Sequence, residues 1–392
     1  MTAWLEIVGV TESEAPIVAP GRTVIGPKRL LDRLDGAHGT RVDWQLKLDV
    51  MLAQVAAYRG TPTTILASGD PLWFGIGATL LSHLDASEVR FTPAASSFQF
   101  AAARLRWPLQ HVTSLSLHAR PAELIHPHIS PGNRILALTS DASTAPHVAR
   151  LLVERGYSRS VVTVLENLGA PAERIVSAEA AGFSLAIGDF YVLAIDCAAD
   201  PGAPLRSAVP GLPDDAFVSD GQLTKREVRA ATLAKLAPYP GALLWDIGAG
   251  CGSVAIEWMR AARDARAIVF EREGERLQMI AVNANNLGTP TLRIENGDAP
   301  DSLAGTPQPD AVFLGGGVAS EALFHAAWTA LRSGGRFVAN AVTLDGEQAL
   351  YDRQARLGGD LVRLDVATLD SIGDHRALRP RMAVTQWSAT KP

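Results

Sequence analysis

Three glycines at alternate positions form the clearest chemical motif in this chain. Residues 243–252 read Leu-Leu-Trp-Asp-Ile-Gly-Ala-Gly-Cys-Gly, an apolar run followed by the glycines. Glycine allows the backbone to turn tightly and approach a ligand, and the first N–H groups of a following helix can bind that ligand. Glu271 ends the next apolar run, where nucleotide-binding α/β folds place an acid against the ribose hydroxyls. We therefore predict a nucleoside-containing cofactor at this loop.

Two cofactors compete for the loop. A dinucleotide site reads G-x-G-x-x-G, whereas this loop reads G-x-G-x-G with an acid just before it. The latter spacing resembles the methyltransferase loop that holds the methionine part of S-adenosylmethionine, and the turns that end the later strands agree with that resemblance. The predicted contacts of S-adenosylmethionine in this half are Thr224, Asp246, Gly248, Ala249, Gly250, Cys251, Gly252, Glu271, Asp298, Ala299, Leu314 and Gly315.

The first half of the chain carries a different set of strand-to-helix turns. They read Ser-Gly-Asp-Pro at residues 68–71, Thr-Pro-Ala-Ala-Ser-Ser at 92–97 and Glu-Asn-Leu-Gly at 166–169. As an ordered set they resemble the tetrapyrrole methyltransferases, whose ligand lies between two α/β subdomains. The resemblance implies donor contacts from Gly9, Ser68, Gly69, Asp70, Trp73, Ser96 and Ser97, and a substrate carboxylate contact from Arg120.

Strand and helix patterns alternate twice along the chain, with a break between the two series. Residues 198–213 are rich in proline and glycine, which is typical of a linker. We therefore predict one domain over residues 1–199 and another over residues 200–392, joined by residues 198–213. Thr224 and Glu227 have capping-box spacing and predict a helix that runs to about Leu236. The patterns predict an α/β fold class, with a mostly parallel sheet in the second half that is closed by an antiparallel edge pair. The resemblances imply two α/β subdomains in the first half and a Rossmann-like seven-stranded sheet in the second.

Composition excludes several classes of protein. The formal net charge of −5 argues against a nucleic-acid partner, because phosphate binding needs a basic face. No apolar run approaches the roughly 18 residues that a membrane span needs, and the N-terminus does not read as a signal peptide. Two cysteines and no metal-binding spacing predict a cytoplasmic protein without a metal, and His126 and His128 are expected at the surface.

The order of two unlike methyltransferase halves, with Thr224–Arg229 and the glycine loop in the second, is itself distinctive. The chain resembles the precorrin-6Y C5,15-methyltransferase (decarboxylating) family, the fused enzymes of cobalamin synthesis. That resemblance implies one S-adenosylmethionine per domain and methylation of a reduced, polycarboxylate corrin precursor. The first domain is implied to act at C5, and the second at C15 with decarboxylation of the C12 acetate. Arg226 and Arg229 are candidate substrate contacts, and a homo-oligomer is expected.

Two aspects of the chemistry remain open from the sequence. No residue is assigned as the catalytic acid of the decarboxylation. The first strand lacks the second glycine that the family has after it, and Pro16 to Pro20 replaces the expected helix. The alternative functions are a tandem methyltransferase for another acidic tetrapyrrole or small aromatic compound, a non-catalytic S-adenosylmethionine-binding protein, and a nicotinamide-dependent dehydrogenase.

Overall fold

The computed structural model describes residues 3–35, 39–44 and 47–392, which form two compact units. The first unit runs up to Ala122 and resumes over Pro131–Ala203, and the second comprises Glu123–Ser130 and Pro204–Pro392. The chain therefore passes from one unit to the other after Ala122, after Ser130 and after Ala203. In the described part of the chain, no helix combines the length and apolar character that crossing a bilayer requires.

The first unit begins with a five-stranded, fully parallel sheet in the order β3-β2-β4-β1-β5. Buried aliphatic residues of β1 and β4 form its centre. The short strands β2 and β3 were not predicted from the sequence. The elements are β1 (Leu5–Val10), β2 (Thr23–Gly26), α1 (Lys28–Leu31), β3 (Arg41–Asp43), α2 (Leu48–Ala56), β4 (Thr63–Ser68), α3 (Ile76–Leu81), β5 (Val89–Thr92) and α4 (Ser97–Leu105).

A second, mixed sheet completes the first unit, in the order β6-β7-β10-β8-β9. Strand β10 runs antiparallel to both of its neighbours, so this sheet has a different topology from the first. Two five-stranded sheets in one unit agree with the predicted pair of α/β subdomains. The elements are β6 (Val112–Ser116), β7 (Arg134–Leu138), α5 (Thr144–Glu154), β8 (Val161–Glu166), β9 (Arg174–Glu179) and β10 (Tyr191–Asp196).

The second unit is built on a seven-stranded sheet in the order β13-β12-β11-β14-β15-β19-β16, with a separate β17-β18 hairpin. This confirms the predicted α/β class and strand number. The elements are α6 (Arg226–Leu236), β11 (Leu243–Ile247), α7 (Ser253–Ala261), β12 (Arg266–Glu271), α8 (Gly274–Leu287), β13 (Arg293–Asn296), β14 (Ala311–Leu314), α9 (Glu321–Ala330), β15 (Arg336–Ala341), α10 (Leu344–Leu357), β16 (Asp360–Leu364), β17 (Ala367–Ile372), β18 (His375–Pro380) and β19 (Val384–Thr390).

The predicted antiparallel edge pair is present, because the edge strand β16 pairs antiparallel with β19, which is also antiparallel to β15. The predicted capping box is wrong, because α6 begins at Arg226 after Lys225, which makes no side-chain capping hydrogen bond. The predicted end of that helix, Leu236, is confirmed.

Residues 204–213, which the sequence predicted as linker, have defined contacts within the second unit. The backbone N–H groups of Gly211 and Leu212 donate to the carboxylate of Glu257 at 2.5 and 3.0 Å. Leu212 is 2% exposed and belongs to the core that includes Trp258. Proline and glycine density therefore identified an irregular segment whose last residues are fixed against α7, whereas Leu205 and Val209 are exposed.

Glu123–Ser130 is the part of the first half of the sequence that belongs to the second unit. A Cβ atom on Gly288 would lie 2.3 Å from Cδ of Pro127 and 3.0 Å from the carbonyl oxygen of Glu123. His126 is 4% exposed, so the expectation that it lies at the surface is wrong. Burial also lowers the pKa of His128, and the positive charge of Arg260 adds to that effect.

Candidate functional site

The glycine loop of the second unit leaves the carboxyl end of β11 and leads into α7. Gly248, Gly250 and Gly252 all have positive φ, at 72°, 58° and 79°, a region that other residues rarely adopt. A Cβ atom on Gly248 would lie 2.8 Å from the backbone of Gly316, which follows β14. The loop therefore needs glycine both for its conformation and for close approach to the end of the neighbouring strand.

Glu271, at the end of β12, contacts this loop directly. Its Oε2 accepts a hydrogen bond from the backbone N–H of Gly250 at 2.9 Å. Its Oε1 accepts from the N–H groups of Arg272 and Glu273 at 3.0 and 3.1 Å. The side chain is buried, with 6% of its surface exposed. The carboxylate is thus fixed by backbone donors beside the loop, which is where an acid meets a ribose in nucleotide-binding α/β folds.

Asp246 lies beneath the loop and is completely out of solvent. Its Oδ2 accepts from the N–H of Ala255 at 3.0 Å, whereas its buried Oδ1 has no hydrogen-bond partner. Burial raises the pKa of Asp246 to about 7; the Ala255 hydrogen bond opposes this shift and the charge of Glu271 adds to it. A buried carboxylate without full compensation is stabilised in its charged form by a nearby positive charge.

The other predicted contacts in this half lie around the loop in different environments. Gly315 donates its N–H to the carbonyl of Ile247 at 2.9 Å, and Leu314 is fully buried. Asp298 is exposed and pairs with Arg272 at 3.3 Å, next to Glu271. Cys251 is buried, which raises the pKa of its thiol and argues against a reactive sulfur.

Arg229, predicted as a candidate substrate contact, is instead a buried structural residue. Its side chain has no exposed surface, and Nε donates to Glu257 at 2.7 Å. The guanidinium also bonds Asp214 and lies over the ring of Phe217, 4.7 Å from the centroid. Arg226, one turn earlier, is exposed and remains a candidate.

The sequence interpretation missed Glu257, which it took for an ordinary helix residue. An acid between the apolar residues Ile256 and Trp258 of α7 was the available signal. Charged groups on a buried helix face need a partner of opposite charge, because removing them from water is costly. That partner, Arg229, lies on another helix.

A large cleft in the first unit collects most of the residues predicted there. Its volume is about 1280 Å³, and its lining comes from the ends of strands in both sheets. The exposed Arg120 and the lysines Lys28 and Lys47, which the sequence interpretation missed, supply positive charge to the lining. The predicted residues in the lining are Ser68, Gly69, Asp70, Trp73, Ser96, Ser97 and Arg120.

The parallel order β4-β1-β5 explains why these turns meet, because the strands end at the same edge of the sheet. Gly9 supports that edge, since a Cβ there would lie 2.5 Å from the carbonyl oxygen of Gly69. Ser96 caps α4: its Oγ accepts from the N–H of Gln99 at 3.3 Å, and the Gln99 side chain accepts from the Ser96 N–H at 2.6 Å. Asp70 accepts from the N–H of Leu72 at 2.8 Å.

The segment after β1 is fixed by side chains rather than by a glycine-rich turn. Glu12 forms ion pairs with Arg29 and Arg33, and Nη2 of Arg33 donates to the carbonyl of Thr11 at 2.9 Å. Arg29 also bonds Ser68 at the edge of the cleft. Residues 11–22 contain no helix, as the prolines predicted.

Comparison with known proteins matches each half to a different methyltransferase family. Residues 23–183 match the family described as Tetrapyrrole (Corrin/Porphyrin) Methylases, and residues 215–391 match the family described as Precorrin methyltransferase domain. A precorrin-6Y C(5,15)-methyltransferase (decarboxylating) from Sinorhizobium sp is 45% identical over 100% of this chain and 97% of its own.

Two shorter relatives each match a smaller part of the chain. The cobalt-precorrin-7 C(5)-methyltransferase of Salmonella typhimurium is 32% identical over 38% of this chain and 74% of its own. A "Probable cobalt-precorrin-6B C(15)-methyltransferase (decarboxylating)" of Pyrobaculum calidifontis is 34% identical over 39% of this chain and 80% of its own. By their names, these relatives carry the C5 and the C15 activities on separate chains.

Proposed function

This chain belongs to the precorrin-6Y C5,15-methyltransferase (decarboxylating) family, and we propose that its two units divide the family's reaction between them. The first unit methylates C5 of the corrin precursor. The second methylates C15 and removes the acetate carboxyl on C12 as carbon dioxide. The observation that carries this division is the match of two different methyltransferase families to separate parts of one chain. Relatives named for a C5 and a C15 activity support it.

Each unit binds one S-adenosylmethionine, whose sulfonium supplies an activated methyl group. In the second unit the glycine loop and Glu271 bind the methionine part and the ribose, and the turn at Asp298 and Ala299 borders the adenine. In the first unit the turns around Ser68 and Ser96 border the donor in the cleft. The protein's main contribution to transfer is alignment of the ring carbon with the methyl group and exclusion of water.

The substrate is a reduced tetrapyrrole with several carboxylates. Arg120, Lys28 and Lys47 of the first-unit cleft and the exposed Arg226 of the second unit are suited to bind those carboxylates. Arg229 has no part in this binding, because its donors are occupied inside the second unit. Decarboxylation also requires a proton at the carbon that loses the carboxyl group, delivered by a side chain or water.

The division is tested with two glycine variants of the full chain. Gly9→Leu places side-chain atoms against the backbone of Gly69, and Gly248→Val against that of Gly316. We expect Gly9→Leu to abolish C5 methylation and retain carbon dioxide release, and Gly248→Val to abolish C15 methylation and carbon dioxide release together. Gly182→Ala is the control, because the φ of Gly182 is not positive and a Cβ there meets no atom within 4 Å. Mass spectrometry of the products distinguishes these outcomes. The division is contradicted if Gly9→Leu loses carbon dioxide release while Gly248→Val retains it.

A homo-oligomer remains our prediction, and the β17-β18 hairpin supports it. Leu369 and Leu378 on this hairpin are 62% and 67% exposed, which is unusual for large aliphatic side chains on paired strands. Sedimentation of the wild type against Leu369→Lys measures whether the hairpin carries an interface. An unchanged sedimentation coefficient shows that it does not.

Cytoplasmic residence also remains a prediction. Cys197 and Cys251 lie in different units, and both are free, buried thiols. That arrangement is compatible with a reducing compartment. Fractionation of the producing cell, followed by detection of the intact chain, tests the prediction directly.

A further inference from the structure

The carboxamide of Asn283, on α8, joins two stretches of chain that lie far apart in sequence. Its Nδ2 donates to the carbonyl oxygen of Val218 at 2.9 Å and to that of Cys251 at 3.0 Å. Its Oδ1 accepts from the N–H of Val218 at 2.8 Å. Asn283 is 1% exposed, so these bonds are made away from water. Loss of the amide would leave buried backbone groups without partners, which is costly.

Val218 belongs to a stretch that we call the entry segment, residues 214–224. Arg229 fixes both of its ends, because Nη1 donates to Oδ1 of Asp214 at 3.1 Å and to the carbonyl of Thr224 at 2.5 Å. A second contact from α8 fixes the part beyond Val218. There Arg276 pairs with Asp220 at 2.8 Å, and its Nη2 donates to Oε1 of Gln222 at 3.0 Å.

The entry segment lies against the middle of the glycine loop. A Cβ atom on Gly250 would be 3.2 Å from the carbonyl oxygen of Gln222. On its other side, Gly250 donates its N–H to Glu271. Gly250 thus lies between the backbone of the entry segment and the carboxylate predicted to bind the ribose. Asn283, which bonds both Val218 and Cys251, ties the segment and the loop to one helix.

We infer that the entry segment covers the donor site of the second unit, and that Asn283 is the positioning residue that keeps the segment and the glycine loop in the geometry that binds the donor. The inference rests on the proposed function, because it takes this loop to bind S-adenosylmethionine. Ligand sites gain affinity when their backbone donors are already placed, since no ordering is then needed on binding. Asn283 acts through Cys251 and Val218, and its effect is therefore on donor affinity more than on the chemical step.

The substitution Asn283→Asp keeps the shape and the acceptor but replaces the Nδ2 donor with a carboxylate oxygen that faces two carbonyls. We expect at least a tenfold weaker affinity for the donor at the second site, a raised KM for S-adenosylmethionine in carbon dioxide release, and a nearly unchanged kcat. Protonation of the new carboxyl returns one donor, so the affinity should recover as the pH falls. Asn283→Ala should weaken binding without that recovery.

Asn285→Asp is the matched control, because it makes the same change on an exposed position of the same helix. If the Asn283 variants unfold the second unit, Arg276→Gln is used instead, because it removes the partly exposed ion pair between α8 and Asp220 of the entry segment. Arg263→Gln, at an exposed position, is its control. Arg276→Gln should raise the Kd at the second site and speed hydrogen exchange of residues 214–224. Arg263→Gln should do neither.

Equilibrium dialysis of S-adenosylhomocysteine with the full chain measures the Kd. Hydrogen exchange of residues 214–224 is measured on the same proteins. Glu271→Ala identifies the second site, since that variant removes its proposed ribose contact. A wild-type chain with no site sensitive to Glu271→Ala contradicts the proposed function itself. A wild-type site that responds to Glu271→Ala but is equally strong in Asn283→Asp and Asn285→Asp, or in both arginine variants, overturns the inference about the cover.

Discussion

Nε of Arg229 donates to Oε1 of Glu257 at 2.7 Å, and neither side chain is more than 1% exposed. Because Glu257 also accepts from the backbone N–H groups of Gly211 and Leu212, this pair joins α6 and α7 to the segment that precedes α6. Removing one partner of a buried ion pair typically costs about 3–5 kcal/mol, since the other charge stays buried without compensation.

We therefore predict that Arg229→Met lowers the free energy of unfolding of the second unit by roughly 3–5 kcal/mol. Arg229→Met combined with Glu257→Leu should recover much of the loss, because no lone charge remains. Urea unfolding, read by hydrogen exchange of α6 and α7, measures both effects. A variant Arg229→Met of normal stability but with a raised substrate KM would instead return this arginine to the substrate site.

The titration of Asp246 predicts a pH-dependent stability. Its pKa is raised in the folded chain from 3.8 to about 7, chiefly by burial. Between these values the folded state binds a proton that the unfolded state has released, so the stability supplied by the neutral form declines as the pH rises through this window. Asp246→Asn removes the titration. Its free energy of unfolding relative to wild type should therefore increase from about pH 4 to about pH 7 and then level off.

Urea titrations of both proteins across that range provide the measurement. The first-unit transition is the internal control, because Asp246 lies outside that unit. A difference between the two proteins that is constant with pH would show that the Asp246 carboxyl does not titrate there.

Glu271→Ala should weaken donor binding to the second unit at least tenfold. Hydrogen bonds to a charged group are worth about 1.5–3 kcal/mol each, and 1.4 kcal/mol corresponds to a factor of ten. Glu271 makes its contact with Gly250 from the side chain, so the variant also releases the loop. Glu271→Gln keeps an acceptor and should lose less. Unchanged donor affinity in Glu271→Ala, measured by calorimetry, would remove this residue from the site.

We expect the first unit to bind the donor more weakly than the second. The segment after β1 lacks the second glycine and is fixed by Glu12, Arg29 and Arg33, so fewer backbone donors face a ligand there. Each missing hydrogen bond contributes about 0.5–1.5 kcal/mol. Glu271→Ala leaves the first site to be titrated and Gly9→Leu leaves the second. Equal or tighter binding by the first site would show that the network of Glu12, Arg29 and Arg33 does not weaken donor binding.

What the sequence predicted well was local in origin. The glycine loop needs residues without Cβ at Gly248, Gly250 and Gly252, and these positions sit next to one another in the chain. The cleft residues were predicted as a set from the family resemblance, and the structure brings them together because parallel strands end at one edge of a sheet. The helix end at Leu236 followed from the pattern around it in the same way.

What it missed depends on contacts between distant positions. Asn283 and Glu257 are polar residues on apolar helix faces, and only their partners distinguish them from exposed residues. Strands β2 and β3 are short and lack strong patterning. Arg229 was misjudged for a related reason, since an arginine that binds substrate and one that binds a buried glutamate look alike in sequence.

The inclusion of Glu123–Ser130 in the second unit constrains how the protein is made. Pro127 leaves the ribosome well before Gly288, the residue against which it packs. During synthesis the first unit can form its sheets while these eight residues have no surface to bind. The second unit completes its packing only when its helix α8 has emerged. Synthesis from the N-terminus therefore allows the first unit to fold early, while residues 123–130 must wait for α8 before they can pack.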